Sequence, residues 1–197
     1  MMMQLDLAAT FRAARKDDAG DIARLFLISS DGLAAYIWSR LAEPGQALEN
    51  VGRARYARDG VAFSYENCAV VDIAGKVVAM AHAVAMQADD GGEPEPDPVL
   101  RPYAELEDPG SLYLSGLAVN DELRSRGLGG KLLARVERQA RDRGLARVSL
   151  ICFEANTGAM RLYANSGYRE QDRRAIVAHP SLHYSDGDAV LLVKDVA

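Results

Sequence analysis

Two arginines and three glycines lie close together near the middle of the chain, in the stretch Arg124-Ser125-Arg126-Gly127-Leu128-Gly129-Gly130. The apolar residues before it, ending in Leu117-Ala118-Val119, are typical of a strand, and the sequence after it has the periodicity of an amphipathic helix. The first amide groups of a helix are unpaired and carry partial positive charge, which suits phosphate oxygens. Glycines let the backbone approach such an anion closely, and arginines add charge-assisted hydrogen bonds. The stretch therefore predicts a diphosphate-binding loop.

Two other phosphate motifs fit this stretch poorly. A nucleotide P-loop requires Ser or Thr after Gly-Lys, whereas Gly130-Lys131 is followed by Leu132. The dinucleotide fingerprint belongs to the first strand-helix turn of its domain, whereas these glycines follow several other predicted elements. From the residues alone, an ordinary helix start with extra glycines and solvated arginines stays open as the alternative.

A second stretch with chemical potential follows the next predicted strand. Asn156-Thr157 has the composition of a helix start, and Leu162-Tyr163-Ala164-Asn165-Ser166-Gly167-Tyr168 follows it. Tyr163 lies at helical spacing from Met160, so a core aromatic residue is the plain alternative to a reactive phenol.

Together the two stretches resemble the GNAT superfamily of acyl-CoA N-acyltransferases. The family's coenzyme motif, Gln/Arg-x-x-Gly-x-Gly/Ala, is matched by residues 124–129, and its later asparagine and Leu-Tyr-x-x-x-Gly-Phe/Tyr pattern by Asn156 and residues 162–168. The resemblance is strong over residues 111–168 and nearly absent over 33–65 and 87–110.

The resemblance implies how the coenzyme binds. The backbone of Leu117, Ala118 and Val119 would pair with the pantetheine arm of acetyl-CoA like an added strand. Arg124 would flank the pyrophosphate, which would be wrapped by Ser125, Arg126, Gly127, Leu128, Gly129 and Gly130.

The resemblance also implies an activity, the transfer of an acetyl group from acetyl-CoA to a primary amine by direct attack in a ternary complex. Asn156 would hydrogen-bond the coenzyme near its thioester, and Tyr163 would protonate the departing thiolate as the catalytic residue. A backbone N–H near Val119 would stabilise the oxyanion. The alternatives are a non-catalytic acyl-CoA-binding or sensing module on the same fold, and an interaction protein whose glycines only shape a turn.

Such a reaction requires a general base, because an amine with a pKa near ~10.4 must lose a proton before it attacks. The sequence does not identify that base. Some relatives carry a glutamate where this chain has Ile151. The candidates are Glu154, His82, Tyr113 and Ser115, and a water relay is the expectation.

The acceptor is predicted only as the primary amine of a small molecule or a protein. An acidic segment, Asp89-Asp90-Gly91-Gly92-Glu93-Pro94-Glu95, either attracts a cationic amine or is a solvated loop. Tyr36, Trp38 and Tyr56 either line the acceptor cleft or belong to the core.

The elements that position these residues alternate in the order β-α-α-β-β-β-α-β-α-β-β. The predicted helices cover a segment around Ile22, Leu25 and Phe26, then 33–41, weakly 44–58, 126–142 and 157–165. After a weak first strand at 10–15, strands are predicted at 68–73, 77–84, 111–119, 146–153, 175–178 and 189–193. This order predicts an α/β fold with a mixed sheet. The resemblance implies a GNAT-like, mostly antiparallel sheet of about six to seven strands, splayed at the acyl-CoA site and flanked by helices. One domain at 10–195 is expected, with a Pro-rich acidic loop at 87–110 and an extension at 1–9.

Composition narrows the setting of this domain. With 197 residues, 49% hydrophobic and 26% charged, and a net charge of −5, the chain suits a soluble domain without a nucleic-acid surface or a membrane span. Cys68 and Cys152 lack metal spacing and are expected as buried free thiols in a cytoplasmic protein, and no metal site is predicted. A homodimer through the apolar strand Leu191-Leu192-Val193 is a further expectation.

Overall fold

The computed structural model describes residues 9–87 and 94–197. The predicted N-terminal extension, 1–9, lies outside the described residues except for Ala9, and so does most of the acidic segment at 89–95. The described part of the chain is built on one twisted sheet with helices on both faces.

The sheet has seven strands in the order β1-β2-β3-β4-β5-β7-β6. All neighbouring pairs are antiparallel except β4 and β5. The mixed, mostly antiparallel sheet that was predicted is therefore confirmed. The strands are β1 Thr10–Ala13, β2 Cys68–Ile73, β3 Lys76–Ala85, β4 Leu112–Val119, β5 Arg147–Phe153, β6 Arg169–Ala175 and β7 Asp188–Asp195.

The described residues form six α-helices, which pack on both faces of the sheet. They are α1 Ala19–Ser29, α2 Leu33–Ser39, α3 Leu48–Tyr56, α4 Arg101–Ala104, α5 Leu128–Asp142 and α6 Thr157–Asn165. Strand residues alternate between the two cores, since Val70 and Met80 pack with α1, α2 and α3, whereas Val71 and Ala79 pack with α5. On α5, Leu132, Leu133, Val136 and Ala140 recur at helical spacing and are almost completely buried.

The parallel strands β4 and β5 separate soon after they begin to pair. Leu112 pairs with Val148 and Tyr113 with Ser149, and no further pair forms between these strands. The later half of β4 therefore has a free backbone edge on the β5 side. On the β3 side, His82 faces Gly116 and Ala83 faces Leu114, so Ser115 is the extra residue of a β-bulge in β4.

Three local predictions need correction. The strand predicted at 175–178 lies earlier, at Arg169–Ala175, where the residues are charged and mostly exposed at the sheet edge, so their pattern carries no apolar signal. Helix α5 begins two residues later than predicted, because Gly127 adopts a left-handed φ of 78° immediately before it. The predicted loop at 87–110 contains the short helix α4.

Two further expectations concern the cysteines and the membrane. Cys68 and Cys152 are both buried and free, as predicted. Over the described ranges, no helix combines the length and apolar character needed to cross a bilayer.

Candidate active site

A large cavity of about 1160 Å³ opens where β4 and β5 diverge. Its walls come from β4 and the end of β5, the segment before α5, the first turns of α6, helices α1 and α2, and the end of α3 with the segment that follows it. Among the predicted coenzyme and catalytic residues, the side that faces α5 and α6 includes Leu117, Ala118, Val119, Arg124, Ser125, Gly127, Leu128, Gly129, Gly130, Asn156 and Tyr163. Arg126 is the exception, since its exposed side chain does not line the cavity.

The amides at the start of α5 are open to the cavity. Lys131 is the first residue whose N–H is bonded to a helix carbonyl, that of Gly127, so the N–H groups of Leu128, Gly129 and Gly130 have no partner within the described residues. A Cβ built on Gly127 or Gly130 would meet nothing within 4 Å. The loop therefore presents unpaired donors and free space together, which is what an oxyanion requires.

Arg124 lies at the edge of this loop, and its charge is partly neutralised by an ion pair. Its guanidinium forms an ion pair with Asp121 at 2.8 Å and its Nε donates to the carbonyl of Val119 at 3.3 Å. The side chain is 56% exposed, so solvent screens much of its charge.

Tyr163 lies on α6 and also lines the cavity. Its ring packs edge-on against Tyr168, with 5.9 Å between ring centroids, and only 8% of the residue is exposed. No described residue forms a hydrogen bond with its hydroxyl. Burial raises the pKa of Tyr163, so the phenol keeps its proton at neutral pH.

Asn156 joins two walls of the cavity. Its Oδ1 accepts the N–H of Ala159 at 3.1 Å and caps α6, while its Nδ2 donates to a carboxylate oxygen of Asp31 at 2.8 Å. The helix-start role considered from the sequence is therefore present, and one hydrogen of the amide remains for a ligand.

Asp31 is a cavity residue that sequence reasoning missed. It adopts a left-handed φ of 48° between α1 and α2, and only 14% of its side chain is exposed. The next residue, Gly32, has a φ of 96°, and a Cβ there would lie 2.0 Å from the carbonyl oxygen of Ser181. The N–H of His183 donates to the Asp31 carbonyl at 2.9 Å. This close packing holds the Asp31 carboxylate at the cavity wall, whereas the sequence indicated only a helix break at Asp31-Gly32.

His82 and Ser115 form a hydrogen-bonded pair at the bulge of β4. Since the carbonyl of Ala62 can only accept, the His82 Nε2 donates to it at 2.9 Å, which leaves Nδ1 to accept the Ser115 hydroxyl at 2.5 Å. Burial lowers the pKa of His82 to about 4, against the opposing effect of the bond to Ala62. His82 is therefore neutral at pH 7, and of the two side chains only Ser115 lines the cavity.

The remaining candidates divide between the cavity and the core. Glu154 does not line the cavity, because its carboxylate binds Arg173 at 3.2 Å and the N–H of Asp188 at 3.1 Å. Tyr113 lines the cavity, and burial raises its pKa. Of the aromatic residues that the sequence singled out, Trp38 lines the cavity, whereas Tyr56 is buried in the core and Tyr36 donates its hydroxyl to Asp97 at 2.8 Å.

Several solved structures with this arrangement of elements are described as acetyltransferases. One described as an acetyltransferase aligns with a TM-score of 0.67 and 22% identity, covering 95% of this chain and 100% of its own. The ribosomal-protein-alanine N-acetyltransferase from Brucella melitensis aligns with a TM-score of 0.63 and 20% identity, covering 94% and 99%. The protein yncA from Salmonella typhimurium, solved with its cofactor acetyl-CoA, aligns with a TM-score of 0.61 and 18% identity, covering 96% and 94%. At these identities the likeness establishes the fold.

Sequence comparison identifies the family. No curated protein matches the chain. The family model described as "Acetyltransferase (GNAT) family" matches residues 34–168, which is more than half of the chain and includes β4, the loop before α5 and all of α6. The protein therefore belongs to the GNAT family of acetyltransferases.

Proposed function

We propose that the protein transfers the acetyl group of acetyl-CoA to a primary amine by direct attack within a ternary complex. The observation that carries this proposal is a single cavity shared by the unpaired amides of α5 and the buried phenol of Tyr163, at the point where β4 and β5 diverge. The structure of yncA with acetyl-CoA supports the choice of cosubstrate. The acceptor is the amine of a small molecule or of a protein.

The fit to acetyl-CoA rests mainly on the backbone. The N–H groups of Leu128, Gly129 and Gly130 bind the diphosphate, since they are unpaired and belong to residues that line the cavity. Arg124 contributes at the margin of the loop. The free edge of β4, from Leu117 to Val119, pairs with the pantetheine arm in the manner of an added strand.

The chemical step rests on Tyr163. Because burial raises its pKa, the phenol holds its proton until negative charge develops on the sulfur, and then donates it. A β4 N–H facing the cleft stabilises the negative charge on the thioester oxygen. The bound coenzyme supplies the activated acetyl group for this transfer.

On the acceptor side, two groups position the amine. Ser115 gives its hydrogen to His82, so its oxygen is left to accept an amine N–H. The Asp31 carboxylate attracts the ammonium form to the same cavity. A histidine with a pKa of about 4 is too weak a base for an ammonium, so the proton leaves through water.

Steady-state kinetics with a panel of primary amines test this proposal. We expect release of coenzyme thiol, acetylated amine in the mass spectrum, and intersecting initial-velocity lines, as a ternary complex requires. Stabilisation of the protein by acetyl-CoA without thiol release from any amine would instead indicate a sensing module. Parallel lines would contradict direct attack.

Substituting Ser115→Ala tests the acceptor side of the proposal. It removes one hydrogen bond to the amine and leaves the coenzyme loop intact, so kcat/KM for the amine should fall about tenfold. The KM for acetyl-CoA should not change. A fall in kcat/KM for the amine that is matched by an equal rise in KM for acetyl-CoA would contradict a role in amine binding.

A further inference from the structure

Arg55 is a cavity residue whose charge is not matched by any described carboxylate. It lies in the last turn of α3, and its guanidinium stands 5.5 Å from the ring centroid of Phe63, which also lines the cavity. Its Nε is buried and has no hydrogen-bond partner in the part of the chain that the structure describes. Within the same residues, no Asp or Glu lies within ion-pair distance of it.

This arrangement is unfavourable for the protein alone. A buried donor that lacks a partner costs about 1–3 kcal/mol. Burial and the neighbouring Arg58 lower the pKa of Arg55, but a guanidinium stays protonated at neutral pH. Its planar fork of N–H groups matches the two oxygens of a carboxylate or phosphate. An anionic ligand entering the cavity would pair with the terminal N–H groups of this guanidinium and neutralise its charge.

The position of Arg55 relates it to the proposed amine site. The Phe63 ring that contacts the guanidinium also stacks on His82, with 5.1 Å between ring centroids. His82 in turn accepts the hydrogen bond from Ser115. Arg55 and the imidazole that orients the amine-binding hydroxyl therefore both lie against the same aromatic ring. A single molecule can place its amine at Ser115 and an anionic group at Arg55.

We infer that Arg55 is a specificity-determining residue that binds an oxyanion of the acceptor. The acceptor is then an amine that also carries a carboxylate or phosphate group, and a polyamine is disfavoured. That the amine of this acceptor is the group acetylated rests on the proposed function. Anion binding at Arg55 does not.

The preference for an acceptor with an anionic group can be measured by comparing the acetylation rates of amines matched in length. The acids are 4-aminobutyrate, 6-aminohexanoate and 8-aminooctanoate, each compared with the alkylamine and the diamine of the same length, and O-phosphoethanolamine extends the set to phosphate. We expect at least one anionic acceptor to exceed its alkylamine in kcat/KM by about tenfold to a hundredfold. Arg55→Ala should remove that advantage by raising KM, with the alkylamine unaffected, and Arg55→Lys should restore part of it.

Arg53→Ala is the control, since Arg53 is an exposed arginine of the same helix that does not line the cavity. It should leave the preference intact. A wild-type preference for diamines, or an equal loss for acids and alkylamines in Arg55→Ala, would overturn the inference while leaving the proposed function in place.

Calorimetry provides a readout without turnover. With coenzyme A saturating, the best acid of the series should bind wild type and Arg53→Ala with the same affinity. Its affinity for Arg55→Ala should be at least about tenfold lower, and the loss in Arg55→Lys should be smaller. If this pattern appears but no amine is acetylated, the inference holds and the proposed function fails. Equal binding to all four proteins would overturn the inference.

Discussion

The half of the cavity that we propose for the coenzyme and the half that we propose for the acceptor are built from different groups: backbone in the first, side chains in the second. We call them the coenzyme half and the acceptor half. Apart from the side chains of Arg124 and Asn156, the coenzyme half consists of backbone groups from one continuous segment, the end of β4, the loop and the start of α5. The acceptor half consists of side chains from separate parts of the chain, among them Asp31, Arg55, Phe63 and Ser115. A site made of backbone tolerates changes in side chains as long as its glycines remain, whereas a site made of side chains can change its ligand by single substitutions.

Tyr163→Phe should produce the largest effect, because Tyr163 is the proposed proton donor. Loss of the proton donor is expected to lower kcat by about a thousandfold, with the affinity for coenzyme A within about twofold of wild type. Single-turnover kinetics and calorimetry separate the two quantities. Tyr168→Phe is the control, since it removes another buried hydroxyl that does not line the cavity and should leave kcat nearly unchanged. Equal losses of turnover and binding in Tyr163→Phe would indicate a structural tyrosine.

The acceptor half should also make the fold sensitive to acid through His82. Its pKa is about 4 in the folded protein and near 6.5 when exposed, so between these values the unfolded chain binds more protons and stability falls as pH falls. The free energy of unfolding should decrease by about 3 kcal/mol from pH 7 to pH 4, which urea titrations at several pH values measure. His82→Gln should flatten this dependence in the pH 4–6.5 window. An unchanged slope in that variant would show that another group titrates.

Gly127→Val tests the backbone character of the coenzyme half. Valine resists the left-handed φ of 78° and puts a branched side chain where the amides face the cavity, so coenzyme A affinity should fall about a hundredfold. Gly144→Val is the matched control, because Gly144 has a φ of 70° just beyond the other end of α5, also with nothing within 4 Å of its Cβ. It imposes similar strain away from the cavity and should leave affinity unchanged. Similar losses in both variants would trace the effect to strain.

Arg124→Ala should have the smallest effect. The side chain is exposed and already paired with Asp121, so its removal is expected to weaken coenzyme A binding only about threefold in calorimetry at physiological salt. A loss as large as that of Gly127→Val would mean that side chains, rather than amides, dominate the coenzyme half.

The same contrast explains what could be predicted from the sequence. The loop at 124–130 and the strand before it are contiguous, so their composition alone predicted a phosphate site, and Tyr163 followed from the family resemblance. Asp31 could not be found in this way, because its contact with Asn156 spans 125 positions and depends on the close packing of Gly32 against Ser181. Arg55 lies where the resemblance is nearly absent, and an arginine on a helix gives no sign from spacing that it faces a cavity.

The position of the edge strand β6 also could not be predicted from the sequence. The charged strand β6 is held by pairing with β7, and such pairing leaves no apolar alternation in the residues. Strand β7 lies between β5 and β6, so both of its edges are occupied within the chain. The homodimer expected through that strand stays a prediction, and pairing at a free edge of β7 does not supply it.

Backbone amide shifts of the ¹⁵N-labelled protein during titration with coenzyme A test the central claim most directly. The claim is that main-chain N–H groups at the start of α5 bind the diphosphate. We expect the largest shifts at Leu128, Gly129 and Gly130, and their absence when pantetheine, which lacks the diphosphate, replaces coenzyme A. Saturating coenzyme A that left these three resonances in place would contradict the account.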